Sequence, residues 1–314
     1  MDNEFNLELK QTKVIEELED FIGKGIPEVV DIDYYNYGFE AEEGRVKKLK
    51  LCGFRINTLP ASITNLSSLE ALELRGNMFS SIPEVIFELT SLISLDISEN
   101  PLKYILNTIE KLTSVQTLVL FDNQLKKFPE KMCNLISLKY LNLGSNQLRT
   151  IPDSIGNLIS LQDLILSENE IEYLPESIGN LKLLENLDLR RNKLNILPES
   201  IGNLKSLEFL DLRRNKLKKI PNSISTLKSL KFIRAHEKIF RQNPHIRHFR
   251  KKNPYAFTIS IILLFIGVSI LLWGILFTLF SGRIGALIFG IFFSVVFILP
   301  SIFMLRLLYK DEYL

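Results

Sequence analysis

The chain has 314 residues, of which 46% are hydrophobic and 24% charged, a composition that excludes a disordered or collagen-like chain. Its net charge of +2 hides a segregation, because residues 1–45 carry 13 acidic and 4 basic side chains whereas residues 230–255 carry 8 basic and 1 acidic. The two cysteines belong to no CxxC or Cys/His cluster, which excludes a disulfide scaffold and predicts reduced thiols in a cytosolic domain.

The first predicted unit, residues 1–45, is a cap. Its opening sequence, MDNEFNLELK, is acidic and polar, unlike a signal or transit peptide. Residues 7–22 have the pattern of an amphipathic helix that the following glycines end. Residues 38–51 are typical of a hairpin with a Glu-Gly turn. We expect this unit to cover the end of the structure that follows, although its acidity would also suit a separate binding surface.

A repeat of 23 residues occupies residues 46–235, as eight full units over 46–229 and a partial ninth. Asparagine recurs with this period from Asn77 to Asn215, and proline from Pro129 to Pro221. Positions 1, 4, 6, 11, 14, 18 and 21 are apolar in all eight full units. The alternation around positions 4 and 6 predicts a short strand with one buried face, and proline at 15 indicates a short helical return. One unit cannot bury its own apolar face, so the units must stack.

Two positions depart from the pattern. Phe54 replaces the asparagine of position 9 in the first repeat, which is typical of an end repeat. Leu106 replaces the proline of position 15 in the third repeat and predicts a locally altered convex turn.

The repeat, LxxLxLxxNxLxxLPxxIxxL, resembles the leucine-rich-repeat family, and within it the Ras-binding leucine-rich-repeat scaffolds and similar short-repeat proteins of bacteria and archaea. The resemblance implies an α/β fold, a curved solenoid with a parallel sheet on its concave face and short helices or turns on its convex face. It also makes a small GTPase a candidate partner.

Positions 2, 3, 5, 7 and 8 flank the buried strand residues, and we expect them to face outward on the concave sheet. Repeats two to four place acids there, and repeats seven and eight place arginines beside aspartates. Arginines and aromatic side chains are common anchors of protein interfaces. Alternatively, neighbours such as Asp188 and Arg213 neutralise each other across strands. The predicted partner-binding residues are Arg190, Arg191, Arg213, Arg214, Phe209, Tyr140, Phe121, Asp188 and Asp211.

Residues 236–255 are predicted to form a basic linker that contains all three histidines. A basic block beside an apolar segment points to a membrane surface and anionic headgroups before it points to nucleic acid. His245 and His248 are three residues apart, but no cysteine or acidic cluster completes a metal site. The predicted membrane-surface residues are Arg247, Arg250, Lys251 and Lys252.

Residues 256–314 are predicted to form a transmembrane hairpin and a short tail. Residues 256–280 and 284–308 are long apolar runs, and 25 residues of helix extend roughly 37 Å, enough to cross a bilayer with some tilt. Basic residues flank the pair, whereas the loop between the runs holds only Arg283. The positive-inside bias therefore places both ends and the repeats in the cytoplasm.

Small residues recur at regular spacing in both apolar runs. Such a spacing allows helices to approach closely in lipid, either within the hairpin or between two chains. The predicted helix-packing residues are Gly267, Gly274, Gly282, Ala286, Gly290 and Ser294.

The sequence favours a membrane-anchored interaction scaffold. It contains no phosphate-binding glycine loop, no nucleophile elbow and no Ser/His/Asp or Cys/His arrangement in the repeats, so we expect neither enzymatic activity nor a cofactor. The alternative is a pore-forming or accessory membrane subunit with the repeats as its regulatory domain. An extracellular receptor is disfavoured by the acidic N-terminus and the scarcity of cysteine.

Overall fold

The computed structural model of the chain describes residues 7–31 and 37–249. No helix within these two ranges combines the length and the apolar character that crossing a membrane requires. The predicted spans, their small residues, and Arg250, Lys251 and Lys252 lie outside the described residues.

The N-terminal unit consists of a helix and a hairpin. Helix α1, Leu9–Ile22, buries the face that carries Val14, Ile15 and Leu18, and it ends at a glycine in the left-handed conformation. Strand β1, Tyr37–Glu42, pairs antiparallel with β2, Arg45–Leu51. The side-chain oxygen of Gln11 accepts the backbone N–H of Val46 at 2.7 Å. Because β2 is also the strand of the first repeat, the cap and the repeats share one sheet.

Within the described residues, ten strands form one sheet in chain order, and every pair after β1–β2 is parallel. Each parallel pair joins residues 23 positions apart, such as Leu72 and Leu95, so equivalent positions of successive repeats lie side by side. The shorter strands are β3, Ala71–Glu73; β4, Ser94–Asp96; β5, Thr117–Val119; β6, Tyr140–Asn142; β7, Asp163–Ile165; β8, Asn186–Asp188; β9, Phe209–Asp211; and β10, Phe232–Arg234.

The convex returns are short 3-10 helices. Leu106 takes the extended backbone conformation that proline adopts elsewhere, and it is followed by a return like the others, so the predicted altered turn is wrong. The returns are Ala61–Asn65, Glu84–Glu88, Asn107–Lys111, Glu130–Asn134, Asp153–Asn157, Glu176–Asn180, Glu199–Asn203 and Asn222–Thr226.

The asparagines of position 9 join successive repeats from within. The Nδ2 atom of Asn146 donates to the carbonyl oxygens of Leu120, Leu143 and Gly144 at 2.9–3.1 Å, while its Oδ1 accepts the N–H of Leu125 at 3.0 Å. The side chain thus supplies hydrogen bonds to backbone groups that are buried where the chain leaves the strand. In the first repeat the equivalent Phe54 packs edge-on against the ring of Tyr37, at 5.5 Å between centroids.

The C-terminal end of the described solenoid is closed by folded chain. Helix α2, Glu237–Gln242, and a 3-10 helix, Pro244–Phe249, follow β10 directly. Ile239, Phe240 and Ile246 are buried in the core that the repeats share. Residues 236–249, the first part of the predicted linker, therefore cover the last repeat.

Candidate interaction surface

The concave face presents four rows of side chains that change from repeat to repeat. Positions 3 and 5 lie on either side of the buried leucine of position 4, and positions 7 and 8 follow the strand. The residue at position 8 has a positive φ in all eight full repeats, from 78° at Gly53 to 52° at Ser145 and 57° at Arg214. The turn leaving each strand is therefore the same, and the rows stay aligned along the solenoid.

Two of the predicted binding residues form a structural pair. Asp211 is buried, with 2% exposed, and receives both Nε and Nη2 of Arg213, the latter at 2.6 Å. Its carboxylate also accepts the backbone N–H of Arg213 at 3.1 Å, which stabilises the turn after the strand. A charge in such a bidentate ion pair is compensated inside the fold. Asp211 and Arg213 therefore stabilise the concave face and do not present an unpaired charge to a partner.

The remaining arginines lie where the sequence predicts them, and each of them interacts with another part of the chain. Arg190 contacts Asp188 at 3.2 Å, and Arg191 contacts Glu168 at 3.2 Å, with the arginine side chains 44% and 47% exposed. Arg214 is exposed on the neighbouring repeat. The neutralising alternative thus holds for much of this cluster, although the pairs that form differ from the predicted Asp188 and Arg213.

Burial shifts the pKa of an aspartate and of a cysteine on this face. Burial raises the pKa of the Asp188 carboxyl, with Asp211 adding to the effect, while the Arg190 N–H and guanidinium oppose it. Burial likewise raises the pKa of the Cys52 thiol to about 11. Because only the thiolate is a strong nucleophile, Cys52 is poorly suited to react at neutral pH.

The predicted aromatic residues divide between two parts of the face. The ring of Phe209 is half-buried, and the guanidinium of Arg234 lies 5.1 Å from its centroid in a cation–π contact. Phe121, 36% exposed, and the half-buried Tyr140 lie in the middle of the face, on the repeats of β5 and β6. The structure therefore assigns Phe209 to the arginine end and leaves the other two apart from it.

Sequence reasoning missed two further members of the middle region. Val119 and Ile165 occupy position 5 of β5 and β7 and are partly exposed there. The available signal was that position 5 carries a charged or amide side chain in the other full repeats but an aliphatic one in these two. Their importance depends on register, because parallel pairing places Val119 and Ile165 on either side of Asn142, on the strands next to that of Tyr140.

The predicted membrane-surface arginine within the described chain has a local role. Arg247 donates from Nε to the carbonyl oxygen of Phe240 at 3.0 Å and from Nη2 to that of Arg241 at 3.1 Å. It thereby holds the two C-terminal helices together while remaining exposed. In the part of the chain that the structure describes, no group of three or more histidine, cysteine or acidic side chains is placed to hold a metal ion.

Comparisons with known proteins agree with this architecture. A family model described as a leucine-rich repeat region matches residues 124–192 and 178–248. The solved plant peptide hormone receptor RGFR1, in complex with RGF2, is 29% identical, with 65% of this chain and 37% of that chain covered and a TM-score of 0.57. The Arabidopsis receptor kinase HAESA, in complex with the peptide hormone IDA and the co-receptor SERK1, is 30% identical, with 66% and 36% covered and a TM-score of 0.55.

A leucine-rich-repeat protein of Leptospira interrogans is 29% identical, with 60% of this chain and 56% of that chain covered and a TM-score of 0.48. The chain therefore spans only 36% to 56% of the lengths of these three structures. No protein of curated function matches the sequence.

The chain has the fold of a leucine-rich-repeat solenoid, and the family model matches its residues 124–192 and 178–248. Its described residues form one solenoid of such repeats with folded chain at each end. Because 473 chains of solved structures match, the architecture alone does not identify a partner, and the residues of the concave face must do so.

Proposed function

We propose that this chain is a membrane-anchored interaction scaffold whose concave face binds a protein partner. The observation that carries the proposal is the continuous sheet, which presents different side chains in successive repeats above a uniform buried core. An extended, slightly varied surface of this kind suits recognition of another chain. The complexes of RGFR1 and HAESA with peptide hormones support a peptide or protein partner.

Within that face, we propose that Arg190, Arg191, Arg214, Phe121 and Tyr140 contact the partner. All five are exposed or half-exposed, whereas the other predicted residues are buried or covered. The resemblance to Ras-binding scaffolds makes a small GTPase one candidate.

We propose that residues 256–280 and 284–308 cross the membrane and that the repeats lie on its cytoplasmic side. The support is in the sequence, where neither run holds a central charge and the basic residues flank the pair. Anionic headgroups would then interact with Arg250, Lys251 and Lys252.

The binding proposal is tested by proximity labelling in the native cell with the full-length chain. Phe121→Ser, Tyr140→Ser, Arg191→Glu and Arg214→Glu, combined in one variant, should remove the proteins that the parent labels. The matched control reverses Lys205 and Lys228, both exposed on the opposite surface, and should label the same proteins as the parent. Equal labelling by both variants would contradict the proposal that the concave face binds the partner.

The membrane proposal is tested by cysteine accessibility in a chain lacking Cys52 and Cys133. Gly282→Cys should react with an impermeant reagent added outside intact cells, whereas Asn3→Cys should react only after permeabilisation. The reverse result would place the repeats outside the cell. Labelling of both sites in intact cells would contradict the proposed membrane-spanning hairpin.

A further inference from the structure

The middle of the concave face differs from both of its ends. The side chains of Val119, Tyr140 and Ile165 lie on the adjacent strands β5, β6 and β7, and Phe121 follows β5. These four side chains, with the partly exposed Asn142 between Val119 and Ile165, form what we call the central platform. Neighbouring strands lie about 4.8 Å apart, so the platform extends roughly 10 Å along the solenoid.

The ring of Phe121 packs against the next repeat. A Cβ atom placed on Gly144 would lie 3.2 Å from Cδ2 of Phe121 and 3.3 Å from Oγ of Ser167. The ring therefore lies against a residue that has no side chain, and a larger residue there would displace it. The platform is a preformed surface, which reduces the entropy that binding would cost.

Three carboxylates border the platform. Asp96 is the neighbour of Val119 in the register of β4 and β5, and Asp163 is the neighbour of Tyr140 in that of β6 and β7. Asp122, which is exposed, follows the platform's phenylalanine in the chain. Acidic groups thus lie on both sides of a centre that is apolar apart from the amide of Asn142.

None of these three carboxylates takes part in an ion pair with another described residue. Asp96 accepts the backbone N–H of Ser98 at 2.8 Å, and Asp163 accepts the side-chain amide of Asn186 at 2.6 Å. The Asp122 side chain accepts no hydrogen bond from a backbone N–H or a side chain within residues 7–31 and 37–249. By contrast, Arg191 and the arginines of position 7 have carboxylate partners in ion pairs. Asp96 interacts electrostatically with Arg75 beyond ion-pair distance, so the charge that lacks an ion pair beside the platform is negative.

We propose that the central platform binds a cationic, amphipathic segment of a protein, with an aromatic or large aliphatic side chain on the platform and lysine or arginine beside it. The inference rests on the proposed function, since it specifies the chemistry of the partner on the same face. A cationic side chain would meet three carboxylates that lack an ion pair, whereas an acidic segment would be repelled by them.

The test uses a phage library of random 12-residue peptides, selected against the full-length chain in detergent. Enriched sequences should be positively charged and should hold an aromatic or large aliphatic residue flanked by lysine or arginine. Their binding should weaken as salt rises, because exposed charges are screened within about 10 Å at 0.1 M salt.

Two variants separate the two parts of the platform. Phe121→Ala should weaken an enriched peptide about tenfold or more, as removal of an interface anchor does. Replacing Asp96, Asp122 and Asp163 by asparagine should weaken it comparably and abolish its salt dependence. Asparagine keeps the acceptor for a position-7 N–H, as Asn142 does for Gly144 at 3.0 Å, so the fold should persist.

The matched control neutralises three exposed acids on the convex returns, by Glu130→Gln, Asp153→Asn and Glu199→Gln, and should leave peptide binding unchanged. Enrichment of acidic peptides, or equal losses in the concave and convex variants, would overturn the proposed partner chemistry. If that happens while the concave variant still loses its labelled proteins in cells, the scaffold function stands and only the partner's charge is wrong. If labelling is also unaffected, both proposals fail.

Discussion

At the scale of single residues, the repeat depends on side chains that take over hydrogen bonds from the backbone. Asparagine at position 9 is suited to this task because one short amide both donates and accepts. From Asn77 to Asn215 its Nδ2 reaches the carbonyl oxygen of position 6 in the preceding repeat, at 2.7–3.2 Å. Aspartate at position 5 accepts a backbone hydrogen bond in the turn that follows its strand, as Asp188 accepts the N–H of Arg190 at 3.0 Å.

Asn146→Ala should therefore lower the free energy of unfolding by about 1–3 kcal/mol, because buried backbone groups lose their partners. Thermal unfolding followed by circular dichroism measures the effect. Asn157→Ala is the matched control, since Asn157 is exposed at the end of a convex return and its side chain forms no hydrogen bond with another described residue. Equal melting temperatures for the two variants would contradict the role of the asparagine ladder.

At the scale of elements, the convex returns of the later repeats lie unusually close together. A Cβ atom on Gly179 would stand 2.5 Å from the carbonyl oxygen of Ser200, and one on Gly202 would stand 2.5 Å from Cβ of Ser223. Both distances are shorter than van der Waals contact. Glycine at position 19 thus permits the spacing of these 3-10 helices, where earlier repeats place larger residues such as Phe87.

Gly179→Ala should destabilise the solenoid by about 1–3 kcal/mol, the usual cost of overpacking, since the obstructing atom belongs to the backbone. Gly25→Ala provides the comparison, because a Cβ there would meet only Oε1 of Glu19 at 3.7 Å. Denaturant unfolding of both variants measures the difference. An unchanged midpoint for Gly179→Ala would show that the returns can separate at little cost.

At the scale of the whole molecule, stability requires that both ends of the stacked core be covered. Helix α1 and the hairpin cover one end, and residues 236–249 cover the other. Each repeat contacts mainly its neighbours, so an uncovered end would expose apolar surface and fray inward.

Ile246→Ala should lower stability by about 2–5 kcal/mol, as large-to-small changes in a core do, because this side chain is fully buried in the terminal 3-10 helix. Ile159→Ala is the matched control, with a side chain 59% exposed on a convex-side turn. Hydrogen exchange across β9 and β10 would locate the loss. If the two variants unfold alike, residues 236–249 behave as a linker rather than as a cap.

The repeat and its sheet could be predicted from sequence alone because their period is local and redundant. Apolar side chains at positions 4 and 6 determine which face is buried, and an asparagine marks the turn in seven of the eight full repeats, so the same structural information is repeated along the chain. The amphipathic pattern of α1 and the hairpin before the first repeat were readable for the same reason. The nine predicted binding residues also lie on the repeats that the period assigns to them.

Only the tertiary structure decided which of those residues carry an available charge. Asp211 and Arg213 compensate each other inside the fold, and the cap formed by residues 236–249 was hidden by its basic, irregular sequence. Parallel pairing of residues 23 positions apart places Val119 and Ile165 on either side of Asn142, in the same part of the face as Phe121. Compensation and adjacency depend on distances between side chains that are far apart in the chain, and a linear pattern does not contain those distances.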